Sequence, residues 1–171
     1  ASYLEAKSKQ GEWLLRIEDI DEPRCSQDAA DDILQTLERF GFEWDGPVVY
    51  QSQRLQDYAD ALDHLKNSGL AYPCGCTRKE IADSGIQGIE GTVYPGTCRN
   101  GLPEGKQPRA WRVITHHQPI TFVDAIQGIH TQHLDTDIGD FVLLRADGYY
   151  AYQLAVVVDD ANQGVTHVVR G

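Results

Sequence analysis

Three of the four cysteines in this chain stand close together, as Cys74-Gly75-Cys76 and then Cys98, with Tyr94 between the second and the third. Thiolates are soft donors, and zinc takes four thiolate or imidazole ligands at tetrahedral corners, so these cysteines supply three of them. The fourth corner is open to Tyr94, to Asp83, or to one of His64, His116, His117, His130, His133 and His167. A phenol is an uncommon ligand, because its proton leaves only near pH ~10 unless a metal lowers that value. The plainer reading makes the cysteines small core residues and Tyr94 a packing residue. The surroundings favour metal: residues 73–108 are rich in Gly and Pro and have no apolar core of their own, and such a segment needs a staple. Cys25 has no such company and reads as a plain thiol.

A second group with chemical potential is the acidic run Arg16-Ile17-Glu18-Asp19-Ile20-Asp21, at and beyond the end of an apolar stretch. Open α/β sheets bind ligands at the carboxyl ends of their strands, and Glu18 is the best placed of the three carboxylates. There it can receive an ammonium group, act as a general base or hold Mg²⁺. The competing reading is a solvated acidic turn at a helix start. Near the other end of the chain, Tyr152 and Arg170 flank a valine-rich segment. A guanidinium offers a carboxylate two parallel hydrogen bonds, so Glu18 and Arg170 together suit a zwitterion such as an amino acid.

These residues need a frame. Ser2 to Lys7 reads as a helix tail ending by Gly11, and Glu12 to Glu18 as a strand. Ala29, Ala30, Ile33, Leu34, Leu37 and Phe40 recur at helical spacing before Gly41, and a second helix is expected from Ser52 to Ser68. Strand, helix, helix is the start of an α/β domain. Beyond the Gly/Pro-rich stretch, which holds one short helix at 78–83, strands are expected at 110–115, 120–125, 129–134 and 141–145, grouped antiparallel. The run from Tyr152 is assigned to a helix stopping at Gly164, followed by a strand at 165–169.

Length and charge narrow the classes. At 171 residues the chain buries roughly 70% of its unfolded surface and needs no disulfides. Four unevenly spaced cysteines, no signal peptide and no long apolar run fit a soluble cytoplasmic protein with no membrane partner. A net charge of −11 argues against a broad phosphate-binding surface. Any RNA contact would be a local patch such as Arg109, Arg112 and Arg145.

Five segments, in order, resemble the catalytic region of the class I glutamyl-tRNA synthetases. They are Leu15 to Asp21, Cys74-x-Cys76-Thr77-Arg78, Tyr94-x-x-x-Cys98-Arg99, Tyr152 to Asp160, and Gly164 to Gly171. The Cys-x-Cys with Tyr-x-x-x-Cys arrangement, Gln163-Gly164-Val165 and the short insertion resemble the shortened branch of that family, which attaches glutamate to queuosine in tRNA(Asp). The resemblance implies an α/β fold: a partial Rossmann-type catalytic domain with a zinc-containing insertion and a small antiparallel strand group. The expected boundaries are 1–72 and 149–171 for the catalytic domain and 73–148 for the insertion. It implies structural zinc held by Cys74, Cys76, Tyr94 and Cys98, and L-glutamate bound by Glu18, Tyr152 and Arg170. ATP with Mg²⁺, glutamate and queuosine-bearing tRNA(Asp) are the expected substrates of a monomer. The family's two nucleotide-binding motifs do not occur in these residues, so the chain is expected to be an internal fragment without appreciable adenylation activity alone. Three alternatives remain: a conventional synthetase charging tRNA(Glu), a zinc-stapled binding module without catalysis, and a hydrolase using Glu18, Asp19 and Asp21 to hold Mg²⁺.

Overall fold

The computed structural model describes residues 1–21, 25–84, 86–88 and 91–169. The chain divides into two compact units, Ala1–Ala59 with Ala155–Gly171, and Asp60–Leu154.

The first unit opens with α1 (Ser2–Ser8), β1 (Arg16–Ile17), α2 (Gln27–Arg39) and β2 (Val49–Tyr50). Ser26 caps α2 by accepting the Ala29 N–H at 3.2 Å, and Gly41 ends it at φ 75°, a conformation that costs a side-chain-free residue little. β1 and β2 pair in parallel, Arg16 opposite Val49 and Ile17 opposite Tyr50. Parallel strands need a long crossover, and α2 supplies it. The tight end of this unit is aromatic: Tyr3 meets Trp13 and Phe42 edge-on at 5.1 and 4.9 Å, in the range where quadrupoles attract. A single 3-10 turn, Gln51–Arg54, runs into α3 (Leu55–Asn67).

The second unit carries β3 (Ala71–Cys74), α4 (Arg78–Asp83), β4 (Ile86–Gly88), β5 (Gly91–Val93), β6 (Ala110–Val113), β7 (Ile120–Asp124), β8 (Gly128–Gln132), α5 (Leu134–Asp137) and β9 (Val142–Leu144). Helix α6 (Tyr152–Gln163) follows, as the sequence suggests. The main sheet is antiparallel in the order β3-β6-β9, while β4-β5 and β7-β8 are separate hairpins. This corrects the expected four-stranded group, because among the described residues 120–124 and 128–132 pair only with each other and the third place beside β6 belongs to β3. Pro73 disguises β3: a proline lacks the ladder donor and is tolerated in a sheet edge, which is where β3 lies. The strand expected at 165–169 forms no ladder with any described residue. Valines favour a pleated surface only where a neighbouring strand provides one.

One buried cluster of the second unit is Tyr72, Cys74, Tyr94 and Cys98, with Cys76, Ile81, Leu102 and Ile114 packed against it. The Gly/Pro-rich stretch thus builds its small core from the residues singled out for their chemistry.

Candidate functional site

Cys74 is the last residue of β3, and its carbonyl accepts the Arg109 N–H at 2.9 Å, which holds the strand end against β6. Gly75 lets the chain turn under the neighbouring loop, since a Cβ there would lie 2.9 Å from the Gln107 carbonyl oxygen. Just past Cys76, Thr77 and Glu80 form a reciprocal capping box that starts α4, satisfying two end donors at once. Tyr94 follows β5 and makes a parallel bridge to Gly139. Gly139 has φ 76°, and a Cβ on it would meet Val93 Cγ1 at 2.6 Å, so this close approach requires glycine. Cys98 sits in a turn closed by Arg99 N–H to Gly96 O at 2.8 Å.

These elements bring the three sulfurs within 4.8 Å of one another, the only such group of metal-binding side chains among the described residues. Cys76 and Cys98 sulfurs are 3.6 Å apart. The Tyr94 hydroxyl oxygen lies 3.4 Å from Cys74 Sγ and 3.7 Å from Cys76 Sγ, and accepts the Cys98 N–H at 2.9 Å. Tetrahedral zinc with ordinary bond lengths sets sulfur–sulfur edges of about 3.8 Å and sulfur–oxygen edges of about 3.5 Å. The donor set and its spacing therefore fit a four-coordinate ion. Of the fourth-ligand candidates, Tyr94 is the one whose donor atom stands among the sulfurs; Asp83 and the six histidines do not join the group.

Burial pushes the Cys76 thiol up to about 11 and raises the Tyr94 phenol well above its ordinary value, reinforced by hydrogen bonding to Cys74, Cys98 and Cys76. Burial also acts on Cys74, but hydrogen bonds from Tyr94, the Cys76 backbone and Arg112 outweigh it and hold that thiol below its ordinary value. A cavity of about 280 Å³ leads to the half-buried Cys76 between Glu80, Ile81, Pro95, Pro103 and Lys106.

A second layer surrounds the cluster. Arg112, 8% exposed, lays its guanidinium over the Tyr94 ring with Cζ 4.0 Å from the centroid and donates from Nη1 to the Asp140 carbonyl at 2.6 Å. Asp140, 1% exposed, accepts from Tyr72 Oη at 2.6 Å, Arg99 Nε at 2.8 Å, and Thr115 N and Oγ1, each at 2.8 Å. This placement dismantles the basic patch expected from Arg109, Arg112 and Arg145: Arg112 is interior and Arg145 is paired with Asp147. Neither Asp140 nor the inward course of Arg112 carried a periodic or motif signal.

In the first unit, Glu18 stands one residue beyond β1 with 42% of its side chain exposed, 3.6 Å from Arg16 Nη2. Arg16 is anchored by Gln163 at 2.7 Å and Asp160 at 2.8 Å. Behind it Asp159, fully buried, accepts from Gln51 and Arg54 at 2.7 Å and from Tyr58 at 2.9 Å. Asp19 is occupied as a cap, taking the Ser52 N–H and hydroxyl at 2.8 and 2.6 Å, which removes it from the Mg²⁺-binding alternative. Cys25 is exposed and free. Tyr152 opens α6 and is 49% exposed. Arg170 lies outside the described residues.

A parallel β1-β2 pair joined by a helix, a three-stranded antiparallel sheet and a three-cysteine cluster make this an α/β chain. Residues 1–171 match the family described as tRNA synthetases class I (E and Q), catalytic domain, and the chain belongs to that family. It is 64% identical over 170 residues to the glutamyl-Q tRNA(Asp) synthetase of Chromobacterium violaceum, a match covering 99% of this chain and 57% of that protein. With the protein of the same name from Dechloromonas aromatica it shares 60% over 172 residues, at 99% and 57% coverage. Among solved structures it resembles a glutamate tRNA ligase from Elizabethkingia meningosepticum, in complex with its amino acid, with TM-score 0.79 and 27% identity, covering 99% of this chain and 39% of that one. The chain spans little more than half the length of the curated relatives it matches.

Proposed function

We propose that the protein carrying this chain activates L-glutamate with ATP and transfers the glutamyl group to queuosine of tRNA(Asp). The observation that carries this reading is the 64% identity, over 99% of the chain, to a protein named for that activity. In the activation step a glutamate carboxylate oxygen attacks the α-phosphorus and pyrophosphate leaves; in the second, the nucleoside hydroxyl displaces AMP from the mixed anhydride. Neither step needs a protein nucleophile, so binding and charge placement supply the catalysis. Glu18 receives the α-ammonium, and its tether to Arg16 keeps the carboxylate pointed without neutralising it, since that contact is 3.6 Å and half open to water. Tyr152 and Arg170 take a substrate carboxylate. ATP arrives with Mg²⁺, whose positive charge offsets that of the phosphates.

Cys74, Cys76, Tyr94 and Cys98 hold a structural zinc. With four protein donors no coordination position is left for substrate, which is the arrangement of a staple. The protein works as a cytoplasmic monomer; no helix among the described residues is long and apolar enough to cross a membrane.

Acceptor choice tests the reading. Glutamate-dependent pyrophosphate exchange is expected from the whole protein, followed by transfer of labelled glutamate to queuosine-bearing tRNA(Asp). Equal transfer to tRNA(Asp) lacking queuosine, or charging of tRNA(Glu), would overturn it and favour a conventional glutamyl-tRNA synthetase.

A further inference from the structure

Three thiolates and a phenolate around a divalent zinc carry a net charge of −2, and the cluster that would hold them is buried. A buried net charge is costly unless an opposite charge accompanies it. Among the cations near the cluster are Arg99, Lys106 and Arg112. Arg99 is bound to the Asp140 carboxylate, and Lys106 is paired with Glu80. Arg112 differs from both. Its Nη1 donates to a backbone carbonyl, Asp140 O, and among the described residues no carboxylate lies within ion-pair distance of it. Its Nε is buried without a hydrogen-bond partner, and its guanidinium lies over the Tyr94 ring with Cζ 4.0 Å from the centroid. The two halves of Asp140 explain why this charge stays available: the carboxylate is taken by Tyr72, Arg99 and Thr115, and only the carbonyl holds Arg112.

We propose that Arg112 is the positioning and charge-compensating residue of the metal cluster, lying over the Tyr94 ring and supplying the cation that lets a tyrosine serve as the fourth donor. The inference rests on the zinc reading given above. Removing groups that orient metal ligands costs about 10–100-fold in affinity, and the loss here should follow the charge of residue 112.

The test uses the whole zinc-loaded protein and its Arg112→Met, Arg112→Lys, Tyr94→Phe and Arg112→Met/Tyr94→Phe variants. Zinc release to a chromophoric chelator and metal content by mass spectrometry are the readouts, with circular dichroism as the check on folding. Arg112→Met should weaken retention by about 10–100-fold, Arg112→Lys should recover most of the loss, and Arg112→Met should matter much less when Tyr94 is already Phe. If Arg112→Met is unfolded, Arg112→Lys decides: near-normal release supports the proposal and release as fast as from Tyr94→Phe overturns it. Unchanged release from a folded Arg112→Met protein that still holds zinc overturns this inference alone. Absence of zinc from the unaltered protein overturns the metal reading and this inference with it.

Discussion

Replacing Asp140 with Ala removes an acceptor from a place water does not reach. The carboxylate is 1% exposed and takes hydrogen bonds from the Tyr72 hydroxyl, the Thr115 amide and hydroxyl, and Arg99. Arg99 is partly exposed, so water can re-solvate it and its share of the loss is small. Tyr72 and Thr115 are buried, and each stranded donor there costs about 1–3 kcal/mol. Some relaxation is available to the two hydroxyls, so the net loss is set at about 3–5 kcal/mol, the range for breaking one side of a buried charged pair. Against a domain stability of about 5–15 kcal/mol, that loosens the second unit without requiring the whole chain to unfold.

Native-state hydrogen exchange localises the effect. The Thr115 amide and the β6 amides should lose protection in Asp140→Ala, while the first unit keeps its own. Asp140→Asn, which retains one acceptor oxygen, should lose about half as much. Burial alone would raise the Asp140 carboxyl, but Arg99, the Thr115 amide and the two hydroxyls hold it below the usual carboxylate range. A folded value below the unfolded one, near ~3.9, means that the stabilisation is complete above that pH and is lost as pH falls through the folded value. Asp140→Asn should therefore flatten the acid limb of the stability curve. A loss under about 1 kcal/mol, with Thr115 exchange unchanged, would refute the reasoning, because a buried acceptor of four groups cannot be that cheap to remove.

Three further outcomes follow from single contacts. In the whole protein, Glu18→Gln should raise KM for glutamate by about 10–100-fold, corresponding to about 1.5–3 kcal/mol for a charge-assisted hydrogen bond, with kcat within a few-fold; an unchanged KM would remove Glu18 from the glutamate site. Gly139→Ala forces a Cβ onto Val93 at a positive φ and should cost about 1–3 kcal/mol, read as a Tm lowered by at least about 3 °C; an unaltered Tm would mean that β5 shifts freely. Glu80 is held down to about 2, first by Lys106 and then by the Thr77 amide and hydroxyl, so the cap of α4 should persist in acid and fail as pH falls toward that value. In Lys106→Ala the Glu80 titration followed by NMR should move up toward the usual range, and an unmoved midpoint would contradict the assigned cause.

Helices were the most legible elements. The periodicity from Ala29 to Phe40 and the stop at Gly41 mark α2 to within about two residues, and the run from Tyr152 forms α6 despite its β-branched valines. Helical pattern is local, so a single segment displays it. Strand pairing is not local. Ala71–Cys74 contains Pro73 and gave no strand signal, yet it joins β6 because that edge was available. The two hairpin strands at 120–124 and 128–132 carry β-branched and aromatic residues, but nothing in them says whether they pair with β6 or stay apart. The cysteine cluster was legible because three thiols in a short stretch are rare, and Tyr94 entered it through the family resemblance. Asp140 was invisible for the opposite reason: one aspartate in a chain with 26 acidic residues carries no mark of burial.

Arg112 shows what composition alone misassigns. In a chain of net charge −11, an arginine is naturally read as part of a solvent-facing patch for phosphates. Here Arg112 is the one buried residue of β6, and an interior that accepts a guanidinium must offer it an acceptor and a π face or a negative charge. The Asp140 carbonyl and the Tyr94 ring offer both. Of the patch expected from Arg109, Arg112 and Arg145, Arg112 is interior and Arg145 is held by Asp147, so it offers less positive charge than the sequence suggests. Of the three, Arg109 is the one left exposed without an ion pair among the described residues, and any phosphate contact under the proposed function would centre on it.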